Sequence, residues 1–138
     1  MRLLVTGAVG FIGSNFVRYW LEHHPGRSRR RIRPARYAGD PRILDSLGTR
    51  IAVGDIGDLD PTEHLAEEGI DTVVNFVAES HANLARDRPG HSFRTNVLGT
   101  QTLLEASIGA ASRAHHISTC ERGDLPLDSD EAFTDESP

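Results

Sequence analysis

Lysine is absent from this chain of 138 residues, so all 15 of its basic residues are arginines. That excludes every chemistry that needs a lysine: a Walker-type phosphate lysine, a Schiff base, or a Tyr-x-x-x-Lys pair for dehydrogenation. Cysteine is nearly absent as well. Cys120 stands alone, which excludes an internal disulfide framework and a cysteine-based zinc site and fits a reducing cytoplasm. Long apolar runs are missing too. None approaches the roughly 20 residues of a membrane helix, and Met1-Arg2-Leu3-Leu4-Val5 is too short for a secretory signal.

What is present reads as a soluble globular protein. Hydrophobic residues make up 38% and charged residues 25%, which is outside the disordered range. The length predicts a single domain over residues 1–138, able to bury roughly 70% of its unfolded surface. The net charge of −5 is unevenly spread. Six arginines lie between Arg27 and Arg36, and six acids follow Arg122 with no base among them. Without interleaved aromatics, and in an acidic chain, the arginine tract does not make a nucleic-acid surface, and neither a nucleic acid nor a membrane is an expected partner. Seven histidines raise the question of a metal. His23-His24 ends a predicted helix, His115 and His116 are strand neighbours on opposite faces, and no pair has H-x-x-x-H spacing, so no metal site is expected.

The order of predicted elements is alternating. Leu3-Leu4-Val5 reads as a strand buried on both faces. Phe11, Ile12, Phe16, Tyr19 and Trp20 then recur at helical spacing, predicting a helix from Gly10 to His23 that stops before Pro25-Gly26. Residues 27–36 take the place of a second strand. Arg50 to Val53 predicts a third, and Asp60-Pro61 opens a helix to about Glu68. The strongest strand signal runs from Asp71 to Ala78. A polar loop, Glu79 to Gly90, precedes a long helix from about Ser92 to Gly109, with Phe93, Val97, Thr100, Leu103, Leu104 and Ser107 at helical steps. His115 to Ser118 predicts a last strand, and the acidic tail from Asp124 reads as loop. The expected fold is α/β, a Rossmann-like doubly wound parallel sheet with flanking helices.

Gly7, Gly10 and Gly13 sit between the first strand and its helix. One permits a tight turn, one lets backbone approach a pyrophosphate, and one lets helix and strand pack closely. The helix N-terminus behind them offers free N–H groups and a positive dipole end to phosphates.

In this context Leu4-Val5-Thr6-Gly7-Ala8-Val9-Gly10-Phe11-Ile12-Gly13-Ser14 resembles the opening of the extended short-chain dehydrogenase/reductase family of nucleotide-sugar enzymes. Tyr37-Ala38-Gly39, Gly54-Asp55-Ile56, Ala78-Glu79-Ser80-His81, Thr95 to Thr100 and His115-His116-Ile117-Ser118-Thr119 match in order and spacing, most like the family's dTDP-glucose 4,6-dehydratase branch. The resemblance covers the whole chain but only the N-terminal part of the family's length. It implies NAD as cofactor, with Phe11 and Ile12 over the pyrophosphate and Asp55 and Ile56 at the adenine. Phe76, Val77, Ala78, Glu79 and Ser80 would line the nicotinamide side, with Thr95 nearby. Ser80 and Thr119 would touch the sugar of a dTDP-sugar nucleotide, and homodimers are the family's habit. In that branch the C4 hydroxyl is oxidised by hydride transfer to NAD, water is eliminated across C5 and C6, and the hydride returns to C6. Oxidation uses a Tyr-x-x-x-Lys pair, and elimination an Asp-Glu pair after the threonine.

The chain departs from this pattern in several places. Glu121 matches the base, but Cys120 stands where the acid belongs, either as a poor thiol acid or as a small buried residue. The Tyr-x-x-x-Lys pair is missing, and so is the part that supplies most sugar-nucleotide contacts. Asn83-Leu84-Ala85 replaces the usual Asp-Arg-Ser. Arg33 stands where an acid would bind the adenosine ribose, which suits NADP and its 2′-phosphate; a divergent or decayed segment, or a shifted reading frame, also fits. Arginines at 29–31 are incompatible with a strand covered on both faces, so residues 27–36 are expected to be the least regular part of the core. Two functional classes follow: a lyase of the dehydratase type, or a truncated, non-catalytic dinucleotide-binding homologue.

Overall fold

Strand and helix boundaries follow from where apolar side chains alternate and where they step by three or four. The computed structural model describes residues 1–24, 32–36, 42, 52–57, 68–80 and 86–118. Within them the order is β1 (Leu3–Thr6), α1 (Phe11–His23), β2 (Ile32–Arg36), β3 (Ala52–Val53), β4 (Thr72–Asn75), α2 (Pro89–Phe93), a π-helical stretch (Arg94–Gly99), α3 (Thr100–Gly109) and β5 (Arg113–His116). The strands form one five-stranded sheet in the order β3-β2-β1-β4-β5. Every pairing is parallel. This is the Rossmann-like architecture.

Alternation along β1 and β4 builds a core on each face of the sheet. Leu3, Val5 and Val74 meet Val17 of α1, with Phe16, Trp20 and Leu21 packed against them. Leu4 and Val73 point the other way, to Ala106 of α3 and to Ile70. Each Val or Leu buried here contributes about 1.5–3 kcal/mol relative to exposure. At the amino ends of the strands, Asp71 accepts from the Arg2 backbone N–H at 2.8 Å and lies 3.7 Å from the N-terminal ammonium.

Two expectations meet the structure. The first concerns β2. Residues 32–36 form a paired strand, with Ile32, Arg33, Pro34 and Ala35 opposite Leu3, Leu4, Val5 and Thr6, and with Ala35 and Arg36 opposite Ala52 and Val53. This half of the 27–36 tract is regular because the ladder is made by backbone groups; the arginines at 29–31, on which the expected irregularity rested, lie outside the described residues. The second concerns the long helix. The helical run starts at Pro89, not Ser92, with the proline in the first turn where its missing N–H costs nothing. A π-helical stretch, Arg94–Gly99, follows. Phe93, Val97 and Leu104 are exposed, whereas Thr95, Gly99, Leu103, Ala106 and Ser107 are buried. The last strand is Arg113–His116, two residues earlier than expected at each end. The predicted strand start at Arg50, the helix from Asp60, the segments Tyr37-Ala38-Gly39 and Asn83-Leu84-Ala85, the arginines at 29–31, and Thr119, Cys120, Glu121 and the acidic tail lie outside the described residues.

Candidate functional site

Because all five strands are parallel, the segments that follow them emerge on one edge of the sheet. These are Gly7 to Gly10 after β1, Gly54 to Gly57 after β3, Phe76 to Ser80 after β4, and Ile117 and Ser118 after β5. β1 and β4 are neighbours although far apart in sequence. The strand order therefore reverses beside the glycine turn, and such a reversal opens a crevice at the carboxyl ends of the strands.

The turn has the shape that the glycine spacing predicts. Gly7 sits at φ +66°, and a Cβ there would lie 2.8 Å from the Phe76 carbonyl carbon. The Gly10 N–H donates to the Gly7 carbonyl at 3.0 Å. A Cβ on Gly13 would run into that same carbonyl. The first turn of α1 thus lies directly on the turn that precedes it. The N-cap is Gly10, with no side-chain cap and no acid in the first turn. The helix end is left open to an anion. Phe11 is 87% exposed and Ile12 63% exposed at this end, so both are available to cover a ligand.

The segment after β4 is held by two carboxamides. Asn75, buried at the end of β4, accepts from the Val77 N–H at 3.1 Å and also from the Thr6 hydroxyl. Its Nδ2 donates to Nδ1 of His116 at 3.0 Å. Asn96 accepts from the Glu79 N–H at 2.7 Å and donates to the Glu79 carbonyl at 3.0 Å. Phe76 is half-buried, its ring 5.1 Å from that of Phe16, and Ala78 and Ser80 are exposed.

The remaining predicted residues fall as follows. Asp55 accepts from the Gly57 N–H at 2.8 Å, closing a tight local turn. Ile56 is buried with Val77 and Leu103, so its side chain is core and only its backbone faces the edge. Thr95 is 2% exposed. Arg33 pairs with Leu4 in the body of β2, and the strand runs on to Arg36 before its carboxyl end. Asn75 and Asn96 were missed as site residues by sequence reasoning. A buried asparagine at the end of an apolar strand was the available signal for the first. The second has a backbone partner 17 residues away that sequence does not reveal. His115 and His116 do face opposite ways, His115 into the α1-side groove and His116 towards Asn75. Among the described residues no three His, Cys, Asp or Glu side chains converge on a point, and no helix is long and apolar enough to cross a membrane.

A concavity of about 820 Å³ runs along the α1 side of β4 and β5, between Ile12, Phe16, Tyr19 and Trp20 on one wall and Arg113 and His115 on the other. It extends the length of the strands, from Met1 and Thr72 at their amino ends to Phe76 and Ile117 at the other. It is therefore a flank of the sheet, whereas the glycine turn opens on the strand ends.

Comparisons with known proteins agree with this geometry. The chain is 44% identical over its whole length to dTDP-glucose 4,6-dehydratase of Mycobacterium tuberculosis, and it spans 42% of that relative's length. Among solved structures, dTDP-glucose 4,6-dehydratase from Bacillus anthracis, solved in complex with NAD, superposes with a TM-score of 0.80 at 32% identity, covering all of this chain and 43% of that one. DesIV, the dTDP-glucose 4,6-dehydratase of Streptomyces venezuelae, solved with NAD bound, gives a TM-score of 0.68 at 38% identity, over 81% of this chain and 37% of that one. A family model matches from residue 3 to residue 138, and with the parallel sheet and its glycine turn this makes the chain a member of the NAD dependent epimerase/dehydratase family.

Proposed function

We propose that this chain binds NAD, or NADP, across the carboxyl ends of its strands, as the dinucleotide-binding part of a dTDP-glucose 4,6-dehydratase. The observation that carries this reading is the uncapped start of α1 packed on the Gly7–Gly10–Gly13 turn. Free N–H groups and the positive end of the helix dipole suit a pyrophosphate. The side chain missing from Gly7 leaves the turn backbone against Phe76, where a Cβ would not fit. Gly7, Gly10 and Gly13 would hold the pyrophosphate, with Phe11 and Ile12 over it. Asp55 and the Ile56 backbone would meet the adenosine end. Phe76, Val77, Ala78, Glu79 and Ser80 would line the nicotinamide, with Thr95 behind them. NAD supplies the hydride acceptor when bound. Ser80 and Thr119 would touch the sugar of a dTDP-sugar nucleotide.

We also infer that these 138 residues by themselves do not turn over dTDP-glucose. The chain has no lysine to lower the pKa of a catalytic tyrosine. Cys120 precedes Glu121 where the elimination chemistry asks for a carboxylic acid, and a thiol is a poorer proton donor at neutral pH. Losing one positioned acid or base costs about 10²–10⁴-fold, and losses within one mechanism do not simply add. The test is a pair of assays on the purified chain. Calorimetric titration should detect saturable binding of a dinucleotide, while incubation with dTDP-glucose should give no 4-keto-6-deoxy product. Absence of binding to both dinucleotides overturns the first statement; product at an enzymatic rate overturns the second.

A further inference from the structure

We infer that Gly57 and Arg94 complete, with Asp55, a notch that takes the purine ring of an adenine nucleotide. The inference rests on the dinucleotide reading above and deepens it by adding two binding residues at the adenosine end. Gly57 closes the turn after β3, its N–H donating to the Asp55 carboxylate at 2.8 Å. The point where a Cβ on Gly57 would stand lies 3.4 Å from Oδ1 of Asp55, 3.7 Å from Nε of Arg94 and 3.8 Å from its Cγ. The missing side chain therefore leaves a gap one methyl group wide, bordered by a carboxylate and by the stem and guanidinium of an arginine.

The core fixes where these groups stand. Arg94 begins the π-helical stretch, and Gly99 at its other end lies so close to Ile56 that a Cβ there would overlap the isoleucine side chain. Ile56 is itself buried with Val77 and Leu103. The helical stretch and the turn after β3 are thus packed directly on each other, and this packing brings Arg94, an exposed residue, to the edge where the strands end. The chemistry of the three residues matches adenine. A carboxylate has about four lone-pair directions, so Asp55 can hold the Gly57 N–H and still accept from the exocyclic amino group of the base. A guanidinium is flat and stacks face to face on an aromatic ring, and it does so while its N–H groups keep partners in its own plane. A phosphate would meet the arginine well but would be repelled by the carboxylate beside it. The pair therefore selects a neutral, flat, amino-bearing ring.

The experiment titrates the unmodified chain and two variants with ADP, NAD and inorganic pyrophosphate. Pyrophosphate suits the glycine turn but carries no base. Arg94→Lys keeps the charge and loses the flat face. Gly57→Ala places one methyl group at ordinary contact distances from Asp55 and Arg94, so it fills the gap while the thermal midpoint stays unchanged. Each variant should bind ADP and NAD about tenfold more weakly, the value of one stacked base, with pyrophosphate affinity unaltered. Unchanged ADP affinity in either variant overturns the notch and leaves the dinucleotide reading standing. An equal loss for ADP and pyrophosphate also overturns it, since that marks general loosening. Weakened ADP binding in both variants of a chain that refuses NAD supports the notch and refutes the function proposed above. An unmodified chain that binds neither nucleotide overturns both.

Discussion

Gly13 has no conformational peculiarity of its own; it is a glycine because the Gly7 carbonyl occupies the space of its side chain. Gly7 is one for two reasons, its φ of +66° and the Phe76 backbone beside it. Overpacking of this kind costs about 1–3 kcal/mol. Gly13→Ala should therefore lower the unfolding free energy by that amount, read as a lower urea midpoint at an unchanged denaturant slope, and should also weaken dinucleotide binding. These glycines were legible in the sequence because the backbone dictates them. The asparagines were not, because an amide side chain that binds backbone looks like any surface polar residue until the partner is known. Asp71 adds a pH effect. Burial works to raise its pKa, but hydrogen bonds from the Arg2 N–H and the Thr72 hydroxyl, together with the N-terminal ammonium, hold the carboxyl below its ordinary value. A depressed folded-state pKa stabilises the protein above the unfolded value of about 4, and that contribution is lost as pH falls through the lower folded value. The thermal midpoint of the native chain should exceed that of Asp71→Asn at pH 7, and the gap should close below about pH 4. The carboxylate is half exposed, so solvent keeps the gap small.

At the scale of elements, α1 and β4 were readable from pattern alone because nothing interrupts their periodicity. The long helix was read correctly in existence and wrongly in face. Helical spacing treats Leu103 and Leu104 as equivalent inward positions, but Leu103 is 3% exposed against Ile56 and Val77 while Leu104 is 43% exposed. Adjacent helical residues point about 100° apart, so the two cannot both face inward, and apolar character alone does not say which one does. Leu103→Ala should destabilise the fold by about 2–5 kcal/mol, and Leu104→Ala by no more than about 0.5 kcal/mol. Chemical denaturation of the two variants, measured side by side, checks the assignment. β2 teaches the reverse lesson. Its residues have almost no strand-like pattern, yet it pairs on both sides with β1 and β3. Neighbouring strands impose the ladder where local sequence does not ask for one.

For the whole molecule, the alternation of strands and helices was enough to place the fold, since parallel strands joined through helices allow few topologies. The position of the candidate site followed from the same reasoning: the strand order reverses between β1 and β4, and the glycine turn lies there. What sequence could not supply is whether a dinucleotide takes the strand ends or the groove beside α1, because that groove is formed by residues brought together only by folding. The measurement that separates them most directly is titration of the isotope-labelled chain with NAD, followed by amide chemical shifts. Saturable changes should concentrate at Gly7 to Gly13 and Phe76 to Ser80, with Arg2 and Asp71 at the opposite ends of the strands unmoved. No saturable change, or changes confined to the Tyr19, Trp20 and Arg113 stretch of the groove, would contradict the assignment of the dinucleotide to the strand ends.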